Sequence, residues 1–537
     1  MRRLLLCTSF FAVTAGVTAG CDTYFFIGDD PVSRYQICED GSLDCFAKAT
    51  TTTTLQCEGD PTQDASLVKD DCGVFVKAGA VDGDGTQDKP FGTFADAAKS
   101  GAAWVFACEG DYAETEGVVF GGDVAVYGGF TGCTAAWKWS ADAKSKLTGP
   151  ADAIAVSLTG GTSFFTNVDI TAADAEMDGG SSIAVLVNGG TAEIRNAELT
   201  SGAAKAGAAG ESLAADSALD GESGDPGAGV CESGANNPGA AGKMKTCAGG
   251  STSVAGSGGD GGLVGAPAAG SGENGKPEPS PNPNNKGIGG VGEGVSGATE
   301  CSSGTDGASG TNGGAAGAVS GLGDVSASGY VGVTGQPGDD GKPGQGGGGG
   351  GGAKGAAMIT CPVPGGTKDR VGAAGGAGGT GGCGGKGGGA GGAGGASIVM
   401  LSLSGDVTLS SVNVNLHPGK GGSGGAGGNG QGGGNPGTGG AYGAGAGSSP
   451  NIANKSCRGG DGGSGGSGGP GSGGSGGHAI GIAFKGTAPK GGTVVMDNAA
   501  PGTGGDGGAG NEAAGKASDG LACQSLDFTK GADSCVP

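Results

Sequence analysis

The sequence predicts an all-β fold of stacked parallel strands, and two observations support this prediction. Residues 154–171 recur as residues 183–200 with 8 identities in 18 positions, where about two are expected by chance at this composition. Within the first copy Ile154, Val156 and Leu158 alternate with other residues, so they share one face of a strand. One such coil cannot bury its apolar face alone, so we expect coils to stack into a right-handed parallel β-helix.

The first 20 residues have the pattern of a secretory signal. Two arginines precede an apolar run, Leu4–Val17, that is too short to span a bilayer comfortably. The run leads into Val-Thr-Ala-Gly-Cys, which resembles the bacterial lipobox, although Thr18 departs from the usual Leu, Val or Ile. The resemblance implies a lipid on Cys21, the alternative being an ordinary signal peptide cut just before it. We expect an exported protein, anchored through this lipid at the outer membrane or cell surface.

Composition limits the classes of function. Glycine supplies 136 of the 537 residues, which excludes a single large core for the whole chain. A net charge of −23 argues against a nucleic-acid partner, because phosphates demand Lys and Arg. Loss of Cys7 with the signal and lipidation of Cys21 leave 14 of 16 cysteines, which predicts disulfides of open connectivity. Two histidines and no C-x-x-C motif argue against structural zinc.

The first half of the chain divides into a tether and a body. Residues 21–72 are polar and cysteine-bearing, which predicts a lipidated tether with disulfide loops. Residues 73–200 hold the first coils of the body. The elements predicted there are strands at 73–76, 104–107, 118–120 and 124–130, and a helix at 94–100 with Thr93 as its N-cap.

About 60 residues of this body resemble the start of exported, pectin-lyase-like proteins with a right-handed parallel β-helix. The resemblance is carried by Gly85-Thr86, Pro90-Phe91, Thr93, Ala97-Ala98 and the segment 110–114. In such proteins a helix closes one end of the solenoid, and the resemblance implies the same here. The glycine content is similar to that of exported proteins from myxobacteria-like bacteria with PE-PGRS-like repeats. That likeness covers composition only, because the PE module is absent.

Two further coils are predicted beyond the repeat. Residues 397–416 form the third, with Val399, Leu401 and Leu403 matching the first strand and Leu409, Val412 and Val414 the second. Residues 479–498 form a ragged fourth through Ile480, Ile482, Phe484 and 494–496. The glycine-rich segments 201–396 and 417–478 fall between coils as long loops, and 499–537 is a glycine-rich tail with C-terminal cysteines.

The glycine-rich loops have two main alternatives. Glycine coil with few aromatics does not offset its ordering entropy, which favours disorder. Gly-Gly-X triplets around Ala377, Thr380 and Cys383 suit extended threefold helices, which favours a packed, polyglycine-II-like bundle. Collagen-like triplets at 335–344 are too few for a triple helix.

No catalytic residue is inferred from the sequence. Asp169 and Glu198 occupy matching places on adjacent coils, where they either face a carbohydrate or decorate a solvated face. Asn413 takes that place in the third copy. Asp82, Asp84 and Asp88 suit either a calcium loop or, as we favour, ordinary turn chemistry. Asn167 and Asn196 sit at matching bends, and asparagines so placed can form a ladder.

The sequence therefore predicts a structural or adhesive scaffold of the cell envelope. Its expected partners are the membrane, through the N-terminal lipid, and a polysaccharide or a surface protein. Calcium is the one cofactor under consideration. The alternative is a carbohydrate-active β-helix enzyme, a polysaccharide lyase or glycosidase, because the resemblance implies the scaffold that such enzymes use.

Overall fold

The computed structural model describes residues 24–25, 35–36 and 57–537, with gaps at 135, 231, 233–235, 357–359, 364–365, 370, 411–413 and 447–452. The chain divides into two compact units, Met1–Asp60 and Pro61–Pro537, so the division falls inside the predicted tether. In the first unit β1 (Tyr24–Phe25) pairs antiparallel with β2 (Tyr35–Gln36). The predicted signal and Cys21 lie outside the described residues.

The second unit is mostly β, and most of its strands lie in three long parallel sheets. Sheet one contains β6 (Val118–Gly121), β10 (Ile154–Thr159), β13 (Ser182–Asn188), β22 (Ser397–Leu403), β25 (Ala479–Lys485) and β28 (Ala522–Asp527). Sheet two contains β3 (Val74–Val76), β4 (Trp104–Cys108), β7 (Val124–Thr131), β11 (Thr162–Thr166), β14 (Thr191–Arg195), β23 (Asp406–Leu409) and β26 (Lys490–Gly491). Sheet three contains β5 (Gly110–Ala113), β9 (Ser145–Gly149), β12 (Val168–Ala172), β15 (Ala197–Thr200), β24 (Val414–His417) and β27 (Thr493–Val494).

The remaining elements are short. The antiparallel ones are β8 (Lys138–Trp139), which pairs with β7, and the hairpins β16–β17 (Met244–Thr246, Thr252–Val254), β18–β19 (Asp324–Ser326, Gly329–Val331) and β20–β21 (Thr360–Val363, Gly366–Asp369). The helices are α1 (Phe94–Ser100) and single 3₁₀ turns at Ala65–Leu67, Ser217–Leu219, Ala248–Gly250, Val295–Gly297 and Ala532–Ser534.

From β10 onward the chain visits the three sheets in turn, and we call three such consecutive strands a coil. The two copies of the repeat pair in parallel, with Ile154 beside Ile183 and Ile170 beside Leu199. The second half of each copy holds two strands rather than one, because the chain bends at Asn167 (φ +59°) and at Asn196 (φ +45°). Asparagine tolerates this left-handed conformation, as the bend prediction assumed.

The predicted register of the third coil is wrong. The sequence pattern matches Val399 to the first apolar residue of the strand, but β22 places Ile398 beside Ile183 and Met400 beside Val185, one residue earlier. The first six residues of β22 are all buried, so alternation carried no information about which face each residue takes. In sheet three Val414 pairs with Ala197, two residues from the predicted match. Val412 and Asn413 lie outside the described residues.

Sheet one is buried on both faces, which explains that error. Its inward residues, Val156 and Val185 among them, join a core cluster shared with the other two sheets. Its outward residues, such as Leu186 and Leu401, join a second cluster with Tyr330 of β19. The predicted tail also contributes here, because β28 adds a sixth strand to sheet one.

The predicted helix and its cap are confirmed. The Thr93 hydroxyl accepts a hydrogen bond from the Asp96 N–H, and Gly101 ends α1 in the left-handed conformation (φ +69°). The buried Glu114 carboxylate accepts hydrogen bonds from the N–H groups of Phe94 (2.7 Å) and Ala95 (3.2 Å). Its pKa is raised because burial disfavours the charged form.

The described glycine-rich residues are extended and bonded to one another, which fits the polyglycine-II-like alternative and not the disordered one. Segments 333–353, 371–396 and 455–478 bond mutually at every third residue. Examples are Gly344 N–H to Gly382 O (2.8 Å), Gly382 N–H to Gly463 O (3.0 Å) and Gly463 N–H to Gln345 O (2.8 Å). Described glycines in these three segments all have φ outside the positive range. A Cβ on Gly382 would lie 2.1 Å from the Gly434 oxygen, so only glycine permits this packing.

Disulfides connect distant parts of this bundle. Cys247 bonds Cys383, 136 residues away, and Cys301 bonds Cys457, 156 residues away. Shorter loops are closed by Cys108–Cys133 and Cys523–Cys535, and Cys57 and Cys72 are also disulfide-bonded. Such crosslinks stabilise the fold mainly by restricting the unfolded chain.

Candidate functional site

The outward face of sheet three carries a column of polar side chains. Register places Lys146 beside both Asp111 and Asp169, and Glu198 beside Asn415. Along β12, Val168 and Ile170 are buried and point inward. Asp169, which lies between them in the strand, is only partly buried. Neighbouring strands lie about 4.8 Å apart, so this column is a ladder of closely spaced groups. Asn415, and not the predicted Asn413, extends it in the third coil.

Asp169 and Glu198 meet through the backbone. The Asp169 Oδ1 atom accepts a hydrogen bond from the Glu198 N–H at 2.9 Å. The same oxygen lies 3.7 Å from the Lys144 Nζ atom. The structure thus brings the two predicted residues onto adjacent coils and gives the Asp169 carboxylate two local partners.

Lys144 is the residue of this site that sequence reasoning missed. Its ammonium group donates to the Asn196 carbonyl and lies beside Asp169, and its side chain is only 23% exposed. Burial lowers the pKa of Lys144, while the charges of Asp169 and Glu198 oppose that effect. Lys144 belongs to an irregular loop outside the repeat, so no periodicity in the sequence could have indicated it.

The predicted asparagine ladder holds this loop in place. Asn167 Nδ2 donates to the carbonyls of Ser140 (3.1 Å), Ala141 (3.1 Å) and Ala143 (3.0 Å). Asn196 Nδ2 donates in turn to Asn167 Oδ1 at 2.9 Å. The ladder therefore fixes the backbone that carries Lys144, and it positions the Lys144 ammonium group beside the Asp169 carboxylate on the outward face of sheet three. Groups of this kind can hydrogen bond the hydroxyls of a sugar.

The aspartates of the predicted calcium loop lie in a turn. Asp84 Oδ1 accepts hydrogen bonds from the Thr86 N–H (3.1 Å) and hydroxyl (2.6 Å), and these bonds lower the pKa of Asp84. Asp82 adopts a positive φ of 53° in the same turn, and Asp88 follows it. Among the described residues, no three His, Cys, Asp or Glu side chains are grouped so as to hold a metal ion.

A cleft of about 430 Å³ opens on the outer face of sheet one. It is bounded by Val119, Ile154 and Ile183 on the sheet side and by Ser328–Tyr330 of the β18–β19 hairpin. Such a volume lies within the range of small-molecule sites. Asp169 and Glu198 do not line it, so the column on sheet three and this cleft are separate features.

The disulfides indicate an oxidising, exported environment. No helix among the described residues combines the length and the apolar character needed to cross a membrane. No protein-family model, no curated protein and no solved structure matches the chain.

Proposed function

We propose that this protein is an exported, surface-exposed lipoprotein that acts as a structural or adhesive scaffold of the cell envelope. In this proposal the three sheets form a right-handed parallel β-helix, closed at its N-terminal end by α1. The single observation that supports it best is the glycine bundle, in which backbone groups of distant segments bond at every third residue. A bundle of this kind creates a large, rigid surface without a conventional hydrophobic core.

Anchoring through Cys21 is the first part of the proposal to test. We expect Cys21→Ser to abolish incorporation of labelled palmitate and to move the protein from the membrane fraction to the soluble fraction. Cys7→Ser is the matched control, because Cys7 lies within the predicted signal and should leave both readouts unchanged. Continued labelling of the Cys21→Ser protein would contradict the lipoprotein proposal.

The proposed partner is an envelope polysaccharide or a surface protein, held without turnover. The experiment is retention of the mature protein on immobilised envelope polysaccharide, with release of soluble sugar measured in the same sample. Retention without released sugar supports the scaffold. Release of sugar that continues after the protein is washed and replenished with substrate contradicts it.

A carbohydrate-active enzyme is the second proposal, and the contact of Lys144 with Asp169 on the outer face of sheet three favours it. In that proposal Asp169 and Lys144 touch the sugar, and proton transfer proceeds through one of them. Asp169→Asn would abolish sugar release, whereas Asp111→Asn, two strands away at one end of the column, would preserve it. Equal release by both variants would remove Asp169 from any such mechanism.

A further inference from the structure

In the glycine bundle, the place for one extended strand beside segments 333–353 and 371–396 is occupied along half its length and open along the rest. Segment 254–262 occupies the filled half, between segments 333–353 and 371–396. Its N–H groups donate to the first of these at every third residue, in the pairs Gly256–Gly347 (2.9 Å), Gly259–Gly350 (2.8 Å) and Gly262–Ala353 (2.9 Å). It accepts from the second in the same way, in the pairs Gly372–Gly262 (2.9 Å), Gly375–Gly259 (2.8 Å) and Gly378–Gly256 (2.9 Å).

The filled position ends where the chain turns away into the β16–β17 hairpin. The next N–H group in the row of donors, that of Gly381, is bonded by the Ser253 hydroxyl at 2.8 Å. The N–H of Gly384 has no acceptor among the described residues. The Gly387 N–H donates to the Asp340 carboxylate at 2.8 Å. This side chain takes the role that backbone carbonyls of segment 254–262 have in the filled half.

The matching row of acceptors is also unfilled. Gly344, Gly341 and Gly338 continue the series of Ala353, Gly350 and Gly347, and their carbonyls accept no hydrogen bond from the described residues. Gly341 and Gly338 are partly exposed, whereas the glycines from 344 to 352 are buried. The Gly384 N–H and the three carbonyls therefore continue the register that segment 254–262 uses and have no partner among the described residues, while Gly381 and Gly387 are bonded by side chains.

A cleft of about 870 Å³ lies at the far end of this open half, where Gly338 of the acceptor row and Gly387 of the donor row line it. Glu211 and Leu213 line one wall, and the segment 312–314 lines the other. Its floor is formed by residues 337–340, Lys342, Lys386, Gly387 and Gly389 of the two bundle segments. The acceptor row from Gly338 to Gly344 spans about 19 Å at the 3.1 Å rise of an extended threefold helix.

We propose that this cleft binds an extended, polyproline-II-type strand of Gly-Gly-X triplets supplied by another polypeptide. Glycine is required because the neighbouring segment approaches so closely: a Cβ on Gly258 or Gly261 would lie 2.0 Å from a carbonyl of segment 371–396. The cleft is lined by three carboxylates and two ammonium groups, Glu211, Asp339, Asp340, Lys342 and Lys386. With a net charge of −23 on the whole chain, a cationic residue at X is favoured.

This proposal rests on the proposed scaffold function and names one class of partner for it. Its test is separate from the tests of that function. The probe is a fluorescent peptide of about five Gly-Gly-Lys triplets, titrated with the full-length oxidised protein and followed by anisotropy. A peptide of about five Ala-Ala-Lys triplets is the control, because it has equal charge but a Cβ at every position. We expect it to bind at least about tenfold more weakly than the glycine peptide.

A pair of variants separates the cleft from the rest of the surface. Gly314 is exposed at the wall of the cleft, and a Cβ there meets only the Asp339 carboxylate, the end of a movable side chain, at 2.9 Å. Gly317, three residues further on the same segment, has no atom near a Cβ and does not line the cleft. Gly314→Leu should weaken binding at least about tenfold, while Gly317→Leu leaves it within about twofold.

Hydrogen exchange supplies the third readout. The bound peptide should slow exchange of the Gly384 N–H, which has no acceptor among the described residues. Equal binding of both peptides, equal affinity of the two leucine variants, or unchanged exchange at Gly384 would each overturn the proposal. Loss of adhesion or of polysaccharide retention would bear on the scaffold function alone.

Discussion

Gly382 illustrates how a single residue type determines the packing of this protein. Its N–H donates to Gly463, its carbonyl accepts from Gly344, and the Gly434 oxygen lies where its Cβ would be. A side chain at this place requires one of three backbones to move. The packing of the bundle therefore depends on the absence of a Cβ atom, whereas the packing of the sheets depends on buried apolar side chains.

Gly382→Ala should destabilise the protein by about 1–3 kcal/mol, the usual range for overpacking in a well-packed interior. Urea unfolding of the oxidised protein measures this. Gly432→Ala is the control, because Gly432 is exposed and a Cβ there meets nothing within 4 Å. It should leave the midpoint unchanged or raise it, since alanine restricts the unfolded chain. Equal midpoints for the two variants would contradict the packing described.

His478 predicts a pH dependence of stability. The buried ring donates from Nε2 to the Leu322 carbonyl (2.8 Å) and accepts the Leu521 N–H at Nδ1 (2.9 Å), so it is neutral in this arrangement. Burial lowers its pKa below the ordinary 6.5. The folded state thus binds fewer protons than the unfolded state, and stability is lost as pH falls through 6.5 towards the lowered value.

The measurement is the urea midpoint across that pH range for the wild type and for His478→Gln. The variant should start less stable at neutral pH and should lose less on acidification. His417→Gln is the control for the other histidine and should keep the dependence of the wild type. A wild-type curve that remains parallel to the His478→Gln curve would show that His478 does not contribute to the dependence.

At the scale of elements, short-range patterns were predictable and long-range register was not. The 29-residue offset between Ile154 and Ile183, the Thr93 cap and the bend at Asn167 follow from local alternation and side-chain chemistry, and each is present. The register of β22 was missed because sheet one is buried on both faces. Lys144 was missed because a loop outside the repeat brings it to Asp169. The glycine segments posed a third difficulty, because ordering a single Gly-Gly-X strand is unfavourable until its neighbours are present.

The disulfides offer a test at this scale. Cys247–Cys383 closes a loop of 136 residues and Cys523–Cys535 one of 12. Loop-closure entropy predicts that replacing the first pair by serines costs about 2 kcal/mol more than replacing the second. Urea midpoints of the two double variants provide the comparison. A larger loss for the short loop would mean that local packing, and not chain entropy, sets the contribution.

For the molecule as a whole, two kinds of order coexist in one chain. The three sheets bury apolar side chains such as Phe165 and Ile194, while the bundle buries backbone. The sequence predicts the sheets from a small number of alternating apolar residues. For the glycine bundle it leaves order and disorder as open alternatives. The bundle is ordered because each of its segments is hydrogen-bonded to several others. The coils of the three sheets also bring the ends of these segments close together.

Amide exchange of the native protein should reflect this cooperation. The N–H groups of Gly379, Gly382 and Gly385 should be protected as strongly as those of β13, because both open only with the whole structure. The N–H of Gly384 should exchange faster than these neighbours. Fast exchange throughout 371–396 would instead indicate flexible glycine coil and would contradict the bundle.

The three-residue spacing of the bonds has an evolutionary consequence. Inserting one or two residues into segment 371–396 would rotate every later N–H away from its partner in 455–478. Three inserted residues, matched by three in each bonded neighbour, would restore every hydrogen-bonded pair with the register shifted by one triplet. Homologous chains are therefore expected to differ in bundle length by whole triplets, with irregular insertions confined to the connecting turns.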